Sequence, residues 1–92
     1  MKLEACIETI AEARIAAKSN LDRAELCTAL DLGGLTPSLA LTKACSEYLE
    51  IHAMVRPRQG NFNYTPVEVN LMQQELRALL QAGATGVVFG CL

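Results

Sequence analysis

The 92-residue sequence predicts an α/β fold of the TIM (β/α)8-barrel type, present as its first four strands with three helices, about half a barrel. Three observations carry this expectation. Short apolar segments alternate with longer helix-forming ones, which implies a parallel sheet with right-handed crossovers. The repeating unit is short, and a weak internal repeat joins LEAC (3–6) to AELC (24–27). Glu4, Glu25 and Arg56 fall on or at the ends of successive strands, where polar groups suit the inside and mouth of a barrel. An open sheet would cover that face with helices and favour apolar residues. The first strand-to-helix turn lacks a G-x-G-x-x-G run, so a dinucleotide fold is not indicated.

Residues 2–7 (KLEACI) alternate with the period of two that a strand requires. Thr9 and Glu12 fit a capping box, and the following Ala-, Glu-, Arg- and Lys-rich segment favours a helix. Ile10, Ala13 and Ala17 form its expected buried stripe, and it ends near Ser19–Asn20. Residues 23–27 (RAELC) form the second strand in the same phase: an acid, then a cysteine two residues later. A polar, glycine-containing stretch leads to Gly33-Gly34. Thr36 is then the expected cap of a second helix, with Pro37 at its first position, running to about Tyr48. The third strand is placed near 51–56 (IHAMVR), ended by Pro57. After a polar loop, Thr65-Pro66-Val67-Glu68 predicts another capping box. Val69, Leu71, Met72, Leu76, Leu79 and Leu80 supply a wide helical stripe, with Gly83 as C-cap. Residues 86–90 (GVVFG) form a short apolar fourth strand.

A complete barrel needs roughly 250 residues and eight strands. The chain is therefore expected to be one partial barrel domain over residues 1–92, with strands one and four as bare edges prone to self-association. Hydrophobic residues make up 51% and charged residues 20%, enough core material to argue against disorder. The net charge is −2 with no basic run, so a nucleic-acid partner has no support. No cationic amphipathic helix or membrane-length apolar stretch is present. A cytoplasmic protein with reduced thiols is the expectation for Cys6, Cys27, Cys45 and Cys91.

Cys6, DRAELC (22–27), GGLTPS (33–38), VRPRQGNFNY (55–64) and VVFG (87–90), in that order and spacing, resemble the CutC family of copper homeostasis proteins. The resemblance spans essentially the whole chain. It implies a β/α barrel, a cytoplasmic location and a link to copper, with Cys6 and Cys27 at the positions proposed for the metal. The family loop commonly reads R-P-R-G-G-D-F. Here Gln59 replaces a glycine and Asn61 an acid, and Leu32 stands where an acid commonly precedes the double glycine. Two lost acids change the charge of the barrel mouth.

These residues support two functions. Cys6 and Cys27, on strands ~4.8 Å apart, would share one soft Cu(I) ion; otherwise they are small buried core residues. Alternatively, the chain is a barrel enzyme acting on a small anionic molecule. Glu4 and Glu25 would be its catalytic acid/base pair, each raising the other's pKa unless a cation such as Arg56 lies between. Arg56 and Arg58, flanking Pro57, would clamp the anion with their planar forks, helped by backbone N–H groups of Gly33 and Gly34 ahead of a helix. The plainer expectation is a Glu–Arg network inside the barrel, a solvated Arg58, and glycines serving a turn. His52 reads as a core or bottom-face residue, Cys45 as helix packing, and Cys91 as a residue near the mouth.

Overall fold

The computed structural model describes residues 4–89; the expectations for Gly90 and Cys91 lie outside them. The elements are β1 (Glu4–Ile7), α1 (Ile10–Lys18), β2 (Arg23–Leu26), a 3-10 turn (Leu30–Leu32), α2 (Leu39–Ser46), β3 (Glu50–Val55), α3 (Pro66–Ala82) and β4 (Gly86–Phe89). The strands pair in parallel in the order β1-β2-β3-β4. A doubly wound sheet reverses its strand order at a switch point; this one does not. The arrangement is that of successive units of a β/α barrel.

Side-chain alternation separates the two faces of the sheet. Ile7, Ala24, Leu26, Ile51, Ala53 and Val55 point toward the helices and form one core with Ala13, Cys45, Met72, Leu79 and Ala84. Leu26, Ile51, Val55, Cys45 and Leu79 are wholly buried there. Cys45 thus packs between helix and sheet, as its position on α2 predicts. The opposite face carries Glu4, Cys6, Arg23, Glu25, Glu50, His52, Met54 and Val88, by parity along each strand. In a closed barrel this second face is the interior.

Several local expectations are corrected. The second helix does not start at Thr36. Its N-cap is Ser38, whose Oγ accepts the Leu41 N–H at 3.1 Å. Thr36 instead extends β3: its N–H donates to the Arg56 carbonyl and its Oγ1 accepts the Arg56 N–H. Those backbone groups lie just past the strand and would otherwise lack partners. We expect Ser38→Ala to cost about 1 kcal/mol, read as a fall in thermal midpoint of roughly 4–8 °C; no change would place the cap elsewhere.

In α1, Thr9 accepts the Glu12 N–H, but the Glu12 carboxylate takes the N–H of Glu8 rather than that of Thr9. The buried residues are Ala13 and Ala16, while Ile10 is exposed. The capping box of α3 is complete, with Pro66 in the first turn and Gly83 at the C-cap. Its stripe is narrower than the sequence suggests: Met72 and Leu79 are buried and Leu76 packs beside them, whereas Val69, Leu71 and Leu80 remain exposed. Val69 lines a groove with Tyr64 and Phe89 beside β4, and Leu71 lines another against α2. Among the described residues no helix is long and apolar enough to cross a membrane.

Candidate functional site

The inner face gathers its chemistry near the C-terminal ends of the strands. Parallel pairing sets Cys6 beside Glu25 and Glu25 beside His52, while Glu4 faces Arg23. The repeat offset and the pairing register differ by two residues, because neighbouring barrel strands are sheared past one another. A two-residue stagger keeps side-chain parity. Cys6 and Cys27 therefore share a face without lying opposite each other, and Cys27, just past β2, donates its N–H to the Ile7 carbonyl.

A loop closes over these ends. Thr28 and Leu35 bond reciprocally through their backbones, pinching the segment between them. The Leu30 N–H donates to the Glu8 carboxylate at 3.2 Å. Beneath this loop lies a cavity of about 390 Å³ lined by Cys6, Glu25, Cys27, Leu30, Gly33, Met54 and Val88. A larger cavity, about 420 Å³, opens between α2 and α3 on the other side of the sheet. Of its lining residues only Glu75 is ionisable, a carboxyl that burial pushes above its usual range. The thiols, the thioether and Glu25 line the smaller cavity.

Both thiols there are held in the protonated form. Burial is the main cause at Cys27, with Cys6, Glu8, Glu25 and Glu12 adding negative charge, and its pKa rises to about 11. Cys6 is raised by burial and then by Glu25, toward which its thiol points at 3.8 Å. A negative, sulfur-bearing cavity disfavours thiolates in the absence of a cation and favours a cation once one enters.

The arginines occupy a different role from the anion clamp the sequence suggests. Arg56 is 8% exposed. Its Nη1 donates to the carbonyls of Leu32 (3.0 Å) and Gly34 (3.1 Å), its Nη2 to that of Gly60 (3.4 Å), and it lies over the Phe62 ring. It pairs with neither Glu4 nor Glu25. Arg58 grips the Glu68 carboxylate with two nitrogens, donates to the carbonyls of Gln59, Asn61 and Asn63, and stacks on Tyr64. Arg58 holds the Glu68 carboxyl below its usual range. These donors fasten loops to the barrel rather than face the cavity.

Gly33 and Gly34 lie ahead of Ser38 and not at the helix start, and their N–H groups donate to the carbonyls of Leu30 and Ala29. Both have φ near +90°, a conformation costly to residues with a Cβ. A Cβ at Gly33 would also stand 2.8 Å from Arg56 Nη1. Glu4 forms an ion pair with Arg23 at the N-terminal ends of β1 and β2, two residues along β1 from Cys6. Glu4 is thus engaged by Arg23, whereas Glu25 lines the cavity beside Cys6. His52 lies 3.4 Å from Glu50 and against Gly86, within the inner face.

Among the described residues, no cluster of three or more His, Cys, Asp and Glu side chains is arranged to hold a metal ion. The cavity's donors are two thiols, the Met54 thioether and the Glu25 carboxylate; the three sulfurs are soft ligands of the kind that suit Cu(I). Sequence reasoning missed Met54. The alternation of β3 was the available signal, since it puts Met54 on the same face as His52.

Comparison with known proteins agrees with this architecture. The family model described as CutC matches residues 1–92. A CutC family protein of Pasteurella multocida is 42% identical over the whole of this chain and 38% of its own length. One of Vibrio vulnificus is 43% identical over 99% of this chain and 37% of its own. The chain thus spans well under half the length of these curated relatives. A crystal structure of CutC from Streptococcus agalactiae, named for copper homeostasis, superposes with a TM-score of 0.86 at 30% identity, covering all of this chain and 47% of that one. Matched along its entire length by the family model and by whole-chain relatives, this chain belongs to the CutC family.

Proposed function

We propose that the chain handles copper in the cytoplasm by holding Cu(I) between Cys6 and Cys27. The observation that supports this most is the shared cavity: both cysteines line it, beside Glu25 and under the loop 28–35. Cu(I) is monovalent, soft and content with few ligands. Its charge compensates that of the carboxylates that keep the thiols protonated. Metal binding must displace those protons, so affinity rises with pH. The relatives' names, which refer to copper homeostasis in the structural neighbour, point the same way.

The rival, a barrel enzyme acting on a small anion through Glu4, Glu25, Arg56 and Arg58, finds less support. Its arginines are spent on backbone carbonyls and on Glu68, and Glu4 is spent on Arg23.

An anaerobic Cu(I) competition titration, run beside a Cys6→Ser/Cys27→Ser variant and checked for folding by circular dichroism, tests the proposal. One-to-one binding lost in the variant is expected. Equal binding by both proteins would return the cysteines to the role of core residues.

A further inference from the structure

Cys27 does not approach the cavity alone. Met54 lies one strand over on the same face and is 8% exposed. A Cβ built on Gly34 would stand 2.9 Å from Met54 Sδ and 3.4 Å from Cys27 Sγ. Two sulfurs that close to one point are separated by less than the sum of those distances. A metal–thiolate bond is about 2.3 Å, as for zinc, so the two sulfurs share one ion once side-chain rotation brings them within about 4.6 Å of each other. Methionine is unbranched and adaptable, which makes such a rotation inexpensive.

The space above Gly34 has to remain empty for this contact. Gly34 is buried, its φ is +90°, and its carbonyl is fixed by Arg56 Nη1 at 3.1 Å. Arg56 thus fixes the glycine by its carbonyl, and Met54 Sδ and Cys27 Sγ both pack where a Cβ would stand.

We infer that Met54 is a third sulfur ligand, so that Cys6, Cys27 and Met54 form a three-coordinate Cu(I) site with Gly34 as its floor. This rests on the reading that Cys6 and Cys27 hold Cu(I). Two thiolates and a neutral thioether around a monovalent ion leave one net negative charge on that set, beside the Glu25 carboxylate. No electron transfer is involved; the only accompanying change is loss of the two thiol protons to solvent. A set without imidazole or an open water position fits storage or transfer of the ion rather than its use as a Lewis acid.

The test uses the chain labelled with ¹³C at the methionine methyls, titrated anaerobically with Cu(I) in a chromophoric buffer. The sequence has three methionines, and the Met54 signal is identified by its absence from the Met54→Leu spectrum. Leucine nearly matches methionine in volume, so this variant is expected to fold. The inference requires that the Met54 methyl shift with one equivalent of Cu(I) while the Met72 methyl, on the helix side of the sheet, does not. It also requires that Met54→Leu weaken binding by about tenfold or more, the scale on which metal sites respond to lost support. An unmoved Met54 methyl, whatever the affinity of Met54→Leu, removes the third ligand. If binding is then still abolished by Cys6→Ser/Cys27→Ser, the two-cysteine reading survives alone. Absence of Cu(I) binding by the unaltered chain overturns both.

Discussion

Replacing Arg56 with alanine is expected to lower the stability of the protein by about 3 kcal/mol, a fall in thermal midpoint of roughly 12–24 °C. The reason is local. One buried guanidinium satisfies the carbonyls of Leu32, Gly34 and Gly60 and packs on Phe62. Removing it leaves those acceptors unpaired in a water-poor place and opens a void under the loop 28–35. The uncompensated Nε of Arg56 offsets part of what the residue contributes, so the loss stays below the sum of three charged hydrogen bonds. Arg56→Lys keeps the charge but presents one ammonium in place of a fork. It should recover only part of the stability. Thermal denaturation of the three proteins side by side decides the matter: an alanine variant as stable as the parent would mean the loop is held by something else. Copper titration of Arg56→Lys then separates support of the loop from direct contact with an ion, since the arginine does not line the cavity.

The second large effect concerns Cys27. With a pKa pushed up to about 11 from an ordinary 9.0, its thiolate population at pH 8 is about a hundredfold lower than that of a free cysteine. Iodoacetamide labelling with peptide mapping should therefore modify Cys6, which is exposed, well before Cys27. Burial slows Cys27 further, because it is 2% exposed. Equal rates at the two positions would contradict the electrostatic account of the cavity. The sign of the stability effect follows from the same shift. The folded state keeps the proton more tightly than the unfolded one, so this contribution is fully present below pH 9 and fades as pH rises toward 11. Metal occupancy reverses the preference, since the bound form requires thiolates.

The parts of the molecule differ in how plainly the sequence announces them. Alternation in 23–27, the short apolar run from Gly86 and the capping signals at Thr9 and Thr65 depend on neighbours a few residues away, and among the described residues the strands and helices stand within a residue or two of where those signals put them. The start of α2 escaped because Thr36 and Ser38 are both competent caps. Which one serves was decided by β3, whose end claims Thr36 through two hydrogen bonds. Exposed flanks on α3 have a similar origin: a helical stripe says which side is apolar but not how much of it a four-stranded sheet can cover.

The sequence by itself determined the β/α order, the parallel half-barrel, the inward parity of Cys6 and Glu25, and the family. Each follows from short-range periodicity or from a contiguous motif. Only the tertiary structure decided which polar groups meet. Strand shear moved Glu4 to Arg23 and Cys6 to Glu25. Loop closure turned Arg56 and Arg58 onto backbone carbonyls and Glu68. The fold also packed Met54 and Cys27 against the bare Cα of Gly34. Side-chain partnership depends on register and on where a loop lands, and both are properties of segments far apart in the chain.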